Sequence, residues 1–260
     1  MLANPLVLGF AAGITVLLGA ELVLSLGTRM GNKATLGALQ ALAGGILAYL
    51  ALEAGHEAEE LVTDLAERGL ILEFVVASAA TLVIFFATFG ALSYAERSLL
   101  RSRGRSPVVS AAAVSMGLGL HNVGEGFAIA SSLAAGALAS ALLFAIGFAV
   151  HNATEGFAVV GPLLGRGERP SRSLVAALSL AAGLPVMPGA AVYYIGQLGD
   201  LWLASLYTAA TASIVYALLH VNLDAMSKLG GITSMRFWAS LSLGVTLAVL
   251  LESIILISIG

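Results

Sequence analysis

His121-Asn122-Val123-Gly124-Glu125-Gly126-Phe127-Ala128 returns, thirty residues on, as His151-Asn152-Ala153-Thr154-Glu155-Gly156-Phe157-Ala158. Each copy lies inside an apolar run long enough to cross a bilayer, where an ionisable side chain points to function by default. Within each copy the His and Glu are four apart and the Asn and Glu three apart. On a helix that spacing gathers all three polar side chains on one face, within about 100°. Two imidazoles, two carboxylates and two amides brought face to face would make a metal cage. The alternative is hydrogen-bonding glue between helices, a role that Asn and His do fill in membranes. Glue needs one or two polar residues rather than six, and a charged side chain at mid-membrane costs at least about 2.5–3.5 kcal/mol. The duplication therefore favours a bound cation. Imidazole and carboxylate without thiolate suit Zn²⁺ first, then Fe²⁺, Mn²⁺, Co²⁺ and Cd²⁺.

Outward from the motif, apolar sequence fills the chain. Its 260 residues are 59% hydrophobic and only 10% charged, with a mean hydropathy of +0.98. A soluble domain carries about 25% charged residues, so the deficit predicts a membrane protein without room for a large soluble domain. Cysteine is absent, which removes disulfides, thiolate metal sites and thiol redox chemistry together. The first residues lack the basic and small-residue pattern of a cleaved signal peptide, so they read as the first span. Thirty glycines predict close helix packing, with Gly126 and Gly156 letting the two motif helices approach one another.

The fold class predicted is all-α: a polytopic membrane protein with eight transmembrane helices in a single domain over residues 1–260. The spans fall at roughly 4–27, 34–55, 70–94, 107–132, 138–164, 173–196, 200–222 and 236–259, each enough to cross about 30 Å of hydrocarbon. The basic stretch at about 95–106 reads as a flexible cytoplasmic linker. With both termini outside, eleven of the twelve Lys and Arg fall in inner connections: Arg29, Lys33, Arg97, Arg101, Arg103, Arg105, Arg166, Arg169, Arg172, Lys228 and Arg236. Only Arg68 is left outside, as the positive-inside rule asks. Both motif copies then lie near the bilayer midplane on antiparallel spans, related by a pseudo-twofold axis in the membrane plane, a common place for a transport site.

Other polar residues mark the ends of such a path. Glu53, His56, Glu57 and Glu60 recur at i, i+3, i+4 and i+7 on one helical face leaving the second span. That face is either a solvated helix end or a vestibule that concentrates cations by electrostatic focusing. His220 and Asp224, four apart where the seventh span meets the cytoplasm, are candidate exit ligands or an ordinary interfacial helix end. Glu21, Gln40, Glu73 and Glu252 are isolated polar residues in or near spans: Glu73 reads as interfacial, and the deeper Glu21 and Glu252 either line a path or carry protons or, as most such residues do, find a hydrogen-bond partner.

On these residues the chain resembles the ZIP (Zrt/Irt-like) divalent metal transporters. The resemblance covers essentially the whole length: eight spans, outer termini, a cytoplasmic connection after the third, and His-Asn-x-x-Glu-Gly on the fourth and fifth. It implies helices arranged as three, two and three. It also implies a metal path through the middle pair, with His121, Asn122, Glu125, His151, Asn152 and Glu155 as transport-site ligands. Movement toward the cytoplasm by alternating access, a homodimer and a plasma-membrane location follow from it too. The divalent metal is then the substrate, zinc foremost, and the lipid bilayer the only other partner besides a second copy, with no nucleic acid.

Two departures stand out. Gly124 and Thr154 replace the Pro that the family often has before each motif Glu. The sixth span, Gly183-Leu184-Pro185-Val186-Met187-Pro188-Gly189-Ala190, lacks the family's further carboxylate, with Met187 in that place, so one metal rather than a bridged pair is expected. Pro185 and Pro188 predict a broken or bent sixth helix. No enzymatic activity is expected. The competing readings are an intramembrane metal-dependent hydrolase, which would use the same ligands to activate water, and a metal-binding sensor that moves nothing.

Overall fold

A computed structural model describes residues 4–30, 32–164, 170–196 and 199–259, with the side chains of 26–30, 255–256 and 258–259 left out. Arg166 and Arg169, and the side chain of Arg29, therefore lie outside the described residues. Among those described, the chain is helical and contains no strand. The helices are α1 (Pro5–Met30), α2 (Lys33–Glu67), α3 (Ile71–Arg103), α4 (Pro107–Ala134), α5 (Leu138–Val160), α6 (Arg172–Gly183), α7 (Val186–Ala191), α8 (Asp200–Leu229) and α9 (Met235–Ile259). Single-turn 3₁₀ segments follow α5 and α7.

Seven stretches are long and apolar enough to cross a membrane, α6 and α7 counting together as one. That is consistent with a multi-pass membrane protein. The 28-residue α4 has the length as well, but its serines, glycines and motif residues dilute its apolarity. Local chemistry sets the helix starts. Asn32 accepts from the Ala34 amide at 2.9 Å, and Ser106 caps α4 with Pro107 in the first turn. Ser171 caps α6. Each supplies an acceptor to an amide that has no partner within its helix.

One element differs from the sequence-based expectation and another follows it. The 95–106 stretch is helical over all but its last three residues, because no breaker interrupts α3 before Gly104. Gly104 ends it at φ 68°, where a side chain would be strained. The sixth span is broken as the prolines predict, with Leu184 and Pro185 between α6 and α7. Pro185 has no N–H to continue the ladder, so carbonyls of the preceding turn need other donors.

The helices gather in two groups that meet around the motif. In one, α1 packs along α5, α6 and α7, and α4 along α5, α6 and α7; in the other, α2 lies along α8 and α9, with α3 on α8. Contacts of α4 with α8 join the groups. The central core at this seam takes Leu47, Val114, Leu118, Val159, Ile214 and Val221 from four helices, all nearly or fully buried.

Glycines permit the closest approaches, but not the one expected. A Cβ on Gly126 would meet the Val186 carbonyl oxygen at 2.0 Å, and one on Gly156 would meet the backbone of α1 at Ala20 and Val16. Each motif glycine thus seats its helix on a flanking helix rather than on its motif partner. The reason is angular. One residue past the Glu, the glycine lies about 100° around the helix from the side chain that faces the other copy.

Candidate metal centre

The two motif copies meet face to face. His121, Asn122, Glu125, His151, Asn152 and Glu155 are all buried, although their helices otherwise bury mostly small and aliphatic residues. Three of the six converge: one ligand atom each from His121, Glu125 and His151 lies within 4.8 Å of the others. Glu125 is the hub. Its Oε1 contacts His151 Nε2 and stands 3.4 Å from His121 Nε2, while Oε2 accepts from Asn152 Nδ2 at 2.8 Å.

Glu155 does not join this trio. Its Oε2 accepts from Asn122 Nδ2 at 2.9 Å, and Asn122 also donates to the carbonyl of Ala182 at 3.0 Å, in the turn that the α6–α7 break leaves open. The asparagines are therefore cross-wired: each motif's amide holds the other motif's carboxylate.

Several polar atoms in the centre have no hydrogen-bond partner. Both ring nitrogens of His121, Oδ1 of Asn122 and of Asn152, and Oε1 of Glu155 are buried and unpaired. The 3.4 Å approach of His121 to Glu125 is close enough for an ion pair but lacks hydrogen-bond geometry. Buried lone pairs left open cost roughly 1–3 kcal/mol each, and native interiors contain few of them. Most of those found among the described residues fall at this one place. A cation is the economical partner for such lone pairs. Two imidazoles and one carboxylate supply three of the four positions that Zn²⁺ prefers and leave the fourth open.

Neighbours fix the imidazole. The Phe148 ring lies 5.4 Å from that of His151 and is itself stacked on Phe144 at 5.8 Å. These aromatics form one wall of a cavity of about 200 Å³. It runs from His121, Glu125 and His151 toward the end of the molecule where α2 turns into α3, and is lined there by Glu53 and Glu57. The sequence placed Glu53 on the vestibule face without making it a ligand; its spacing of four from Glu57 is the signal that puts both on this wall.

The outlying candidates are placed as follows. Glu57 lines the cavity. His56 is exposed, with Nδ1 4.0 Å from Glu59, and Glu60 is exposed too. His220 and Asp224 share α8 but face different partners. His220 Nε2 lies 3.1 Å from Glu96 of α3, and Tyr216 donates to the same carboxylate at 2.7 Å. Asp224 accepts from Gln40 of α2 at 2.6 Å and pairs with Lys228. Lys228 also donates to Gln40 Oε1 at 2.7 Å and to the carbonyl of Gly161 at 3.0 Å. Glu252 accepts from the Tyr49 hydroxyl, so Gln40 and Glu252, two of the four isolated polar residues, have partners. Met187 lines neither cavity that reaches His151.

Neither a protein-family model nor a curated protein sequence matches this chain.

Proposed function

We propose that the chain carries divalent transition-metal cations, zinc foremost, across a membrane, in the manner of the ZIP transporters it resembles. Iron, manganese, cobalt and cadmium are the other candidate substrates. In this reading both termini face outward, the helices form the family's three-two-three arrangement, two copies associate, and the ion moves toward the cytoplasm. The observation that supports it best is the convergence of His121, Glu125 and His151 from two membrane-length helices at the inner end of a cavity lined by acid. A cation arriving there finds open lone pairs, and neutralising the carboxylates offsets the cost of burying them.

One feature favours a second reading. Two imidazoles and a carboxylate with an open fourth position is also the donor set of zinc hydrolases, where the metal activates water. Zinc uptake into proteoliposomes, run beside peptide and lipid cleavage assays, separates the two. Wild-type protein is expected to load the vesicles with zinc and cleave nothing, and Glu125→Ala to abolish uptake while still eluting as folded protein. Cleavage without uptake would replace the carrier with a hydrolase. Tight zinc binding with neither activity would leave a sensor.

A further inference from the structure

Along α3 the open face passes from apolar to basic without turning. Val83, Ala87, Gly90, Tyr94, Arg97 and Arg101 recur at intervals of three and four, and all six are exposed. At about 100° per residue they keep within an arc of about 80°. A Cβ on Gly90 would meet nothing within 4 Å, so no described helix covers this face. The other side of α3 meets the bundle, where Leu92 packs with Ala113 and Tyr216. Glu96, next to Arg97, belongs to that side: it accepts from Tyr216 at 2.7 Å and lies 3.1 Å from His220. The only acid on this half of α3 is therefore engaged away from the stripe. Neither Arg97 nor Arg101 has a hydrogen bond or ion pair with another described residue.

Depth agrees with direction. From Ile71 to Tyr94 the helix rises about 35 Å, enough to cross about 30 Å of hydrocarbon. Tyr94 then stands where tyrosine is enriched, at a membrane–water interface. Arg97 lies about 5 Å beyond it and Arg101 about 10 Å, the depth of the polar headgroups. Because α3 stays helical to Arg103, the two arginines sit one turn apart on one face, about 6 Å between their bases. Paired guanidinium groups at that spacing suit a phosphate, which each can hold through two parallel N–H···O bonds. A flexible linker would scatter the same charges, whereas the helix aims them along the lipid-facing stripe. A free phosphate gains nothing from the apolar surface below them. A lipid phosphate gains contact for its acyl chains, and a headgroup without a cation of its own avoids repulsion by the guanidinium groups.

We propose that Arg97 and Arg101, with Tyr94 beneath them, form a binding site for one anionic phospholipid. Its phosphodiester lies between the two guanidinium groups, and its chains run past Tyr94 onto Gly90, Ala87 and Val83. The site goes beyond the transport reading and depends only on α3 lying in a bilayer.

Native mass spectrometry tests it, on the full chain released from detergent micelles supplemented with phosphatidylglycerol or with phosphatidylcholine of the same chain length. Wild-type protein is expected to retain one phosphatidylglycerol per chain and to prefer it to phosphatidylcholine. Arg97→Gln combined with Arg101→Gln is expected to weaken that retention at least about tenfold. Arg97→Lys with Arg101→Lys keeps the charge but loses the planar fork, and is expected to fall between the two. Arg103→Gln with Arg105→Gln removes two charges as well, one about 180° around α3 from Tyr94 and one past its end, and is expected to match wild type. Equal retention by wild type and the Arg97/Arg101 glutamine variant overturns the proposal. So does an equal loss in the Arg103/Arg105 variant, which would mean a general attraction for positive charge. Displacement of the lipid by excess inorganic phosphate would assign the arginines to a free anion and overturns it too. Zinc uptake by the same variants reports on the carrier separately. Lipid retention that depends on Arg97 and Arg101, in protein that takes up no zinc, leaves the site standing and removes the carrier.

Discussion

Asn122 on α4 donates from Nδ2 to Glu155 Oε2 on α5 at 2.9 Å, and the same bond is made in mirror form by Asn152 and Glu125 at 2.8 Å. The pair turns a repeated motif into a reciprocal clamp. Each asparagine fixes the carboxylate of the opposite helix, so the positions of Glu125 and Glu155 depend on both copies at once. The symmetry stops there, because Glu125 alone gathers both histidines.

The clamp gives unequal roles to like residues. Asn122→Ala leaves Glu155 buried without a donor, and the expected cost is about 1–3 kcal/mol. Thermal unfolding in detergent measures it. Asn122→Asp should cost more, since a second carboxylate replaces the donor; an Asp variant as stable as wild type would show that the bond contributes little.

Close helix contacts set a second expectation. Gly126→Ala forces a Cβ to within 2.0 Å of the Val186 carbonyl oxygen, and Gly189→Ala does the same against Val123. Overpacking of this kind typically costs about 1–3 kcal/mol. Gly90→Ala on α3, with nothing within 4 Å, should be neutral or slightly stabilising, since alanine favours the helix by about 0.5–1 kcal/mol. Equal midpoints for Gly126→Ala and Gly90→Ala would refute this packing.

Lys228 ties α8 to α2 and to the carbonyl of Gly161 beyond α5, and pairs with Asp224. Lys228→Met leaves the Asp224 carboxylate with the Gln40 amide but no counter-charge, whereas Lys228→Met combined with Asp224→Leu removes both charges. The double variant is expected to be less destabilised than the sum of the singles, with a coupling of about 0.5–3 kcal/mol. Strict additivity in the double-mutant cycle would mean that the pair does not hold these helices together.

Acid should weaken the metal. Imidazole and carboxylate bind a cation only when deprotonated, so protons compete with zinc and binding releases them. Affinity is expected to fall steadily as pH is lowered, and calorimetry in buffers of different ionisation enthalpy should register proton release. Zinc affinity independent of pH would point to a site built without His121 and His151.

How much of this was legible depends on how far each feature is set by a single helix. The i, i+4 spacing of His121 and Glu125, and the apolar run around them, are properties of one segment, and they put both side chains on one face of a membrane-length helix. The proline pair at 185 and 188 likewise marks the α6–α7 break without help from neighbours. What could not be read is helix rotation. Whether Gly126 faces α5 or α7, whether Glu155 points at the histidines or at Asn122, and whether Glu53 looks into the cavity all turn on side-by-side packing that no single periodicity encodes. Lys228 is intermediate: its spacing of four from Asp224 is in the sequence, but its bond to Gly161 is not. The run past residue 95 reads as a linker because it is basic, yet nothing in it breaks a helix before Gly104.

Anomalous diffraction at the zinc edge, on crystals of the protein soaked with zinc, tests the central claim most directly. One dominant peak is expected, about 2.0–2.2 Å from a nitrogen of His121, a nitrogen of His151 and an oxygen of Glu125. A crystal that binds zinc firmly elsewhere, with no density among those three side chains, would contradict it.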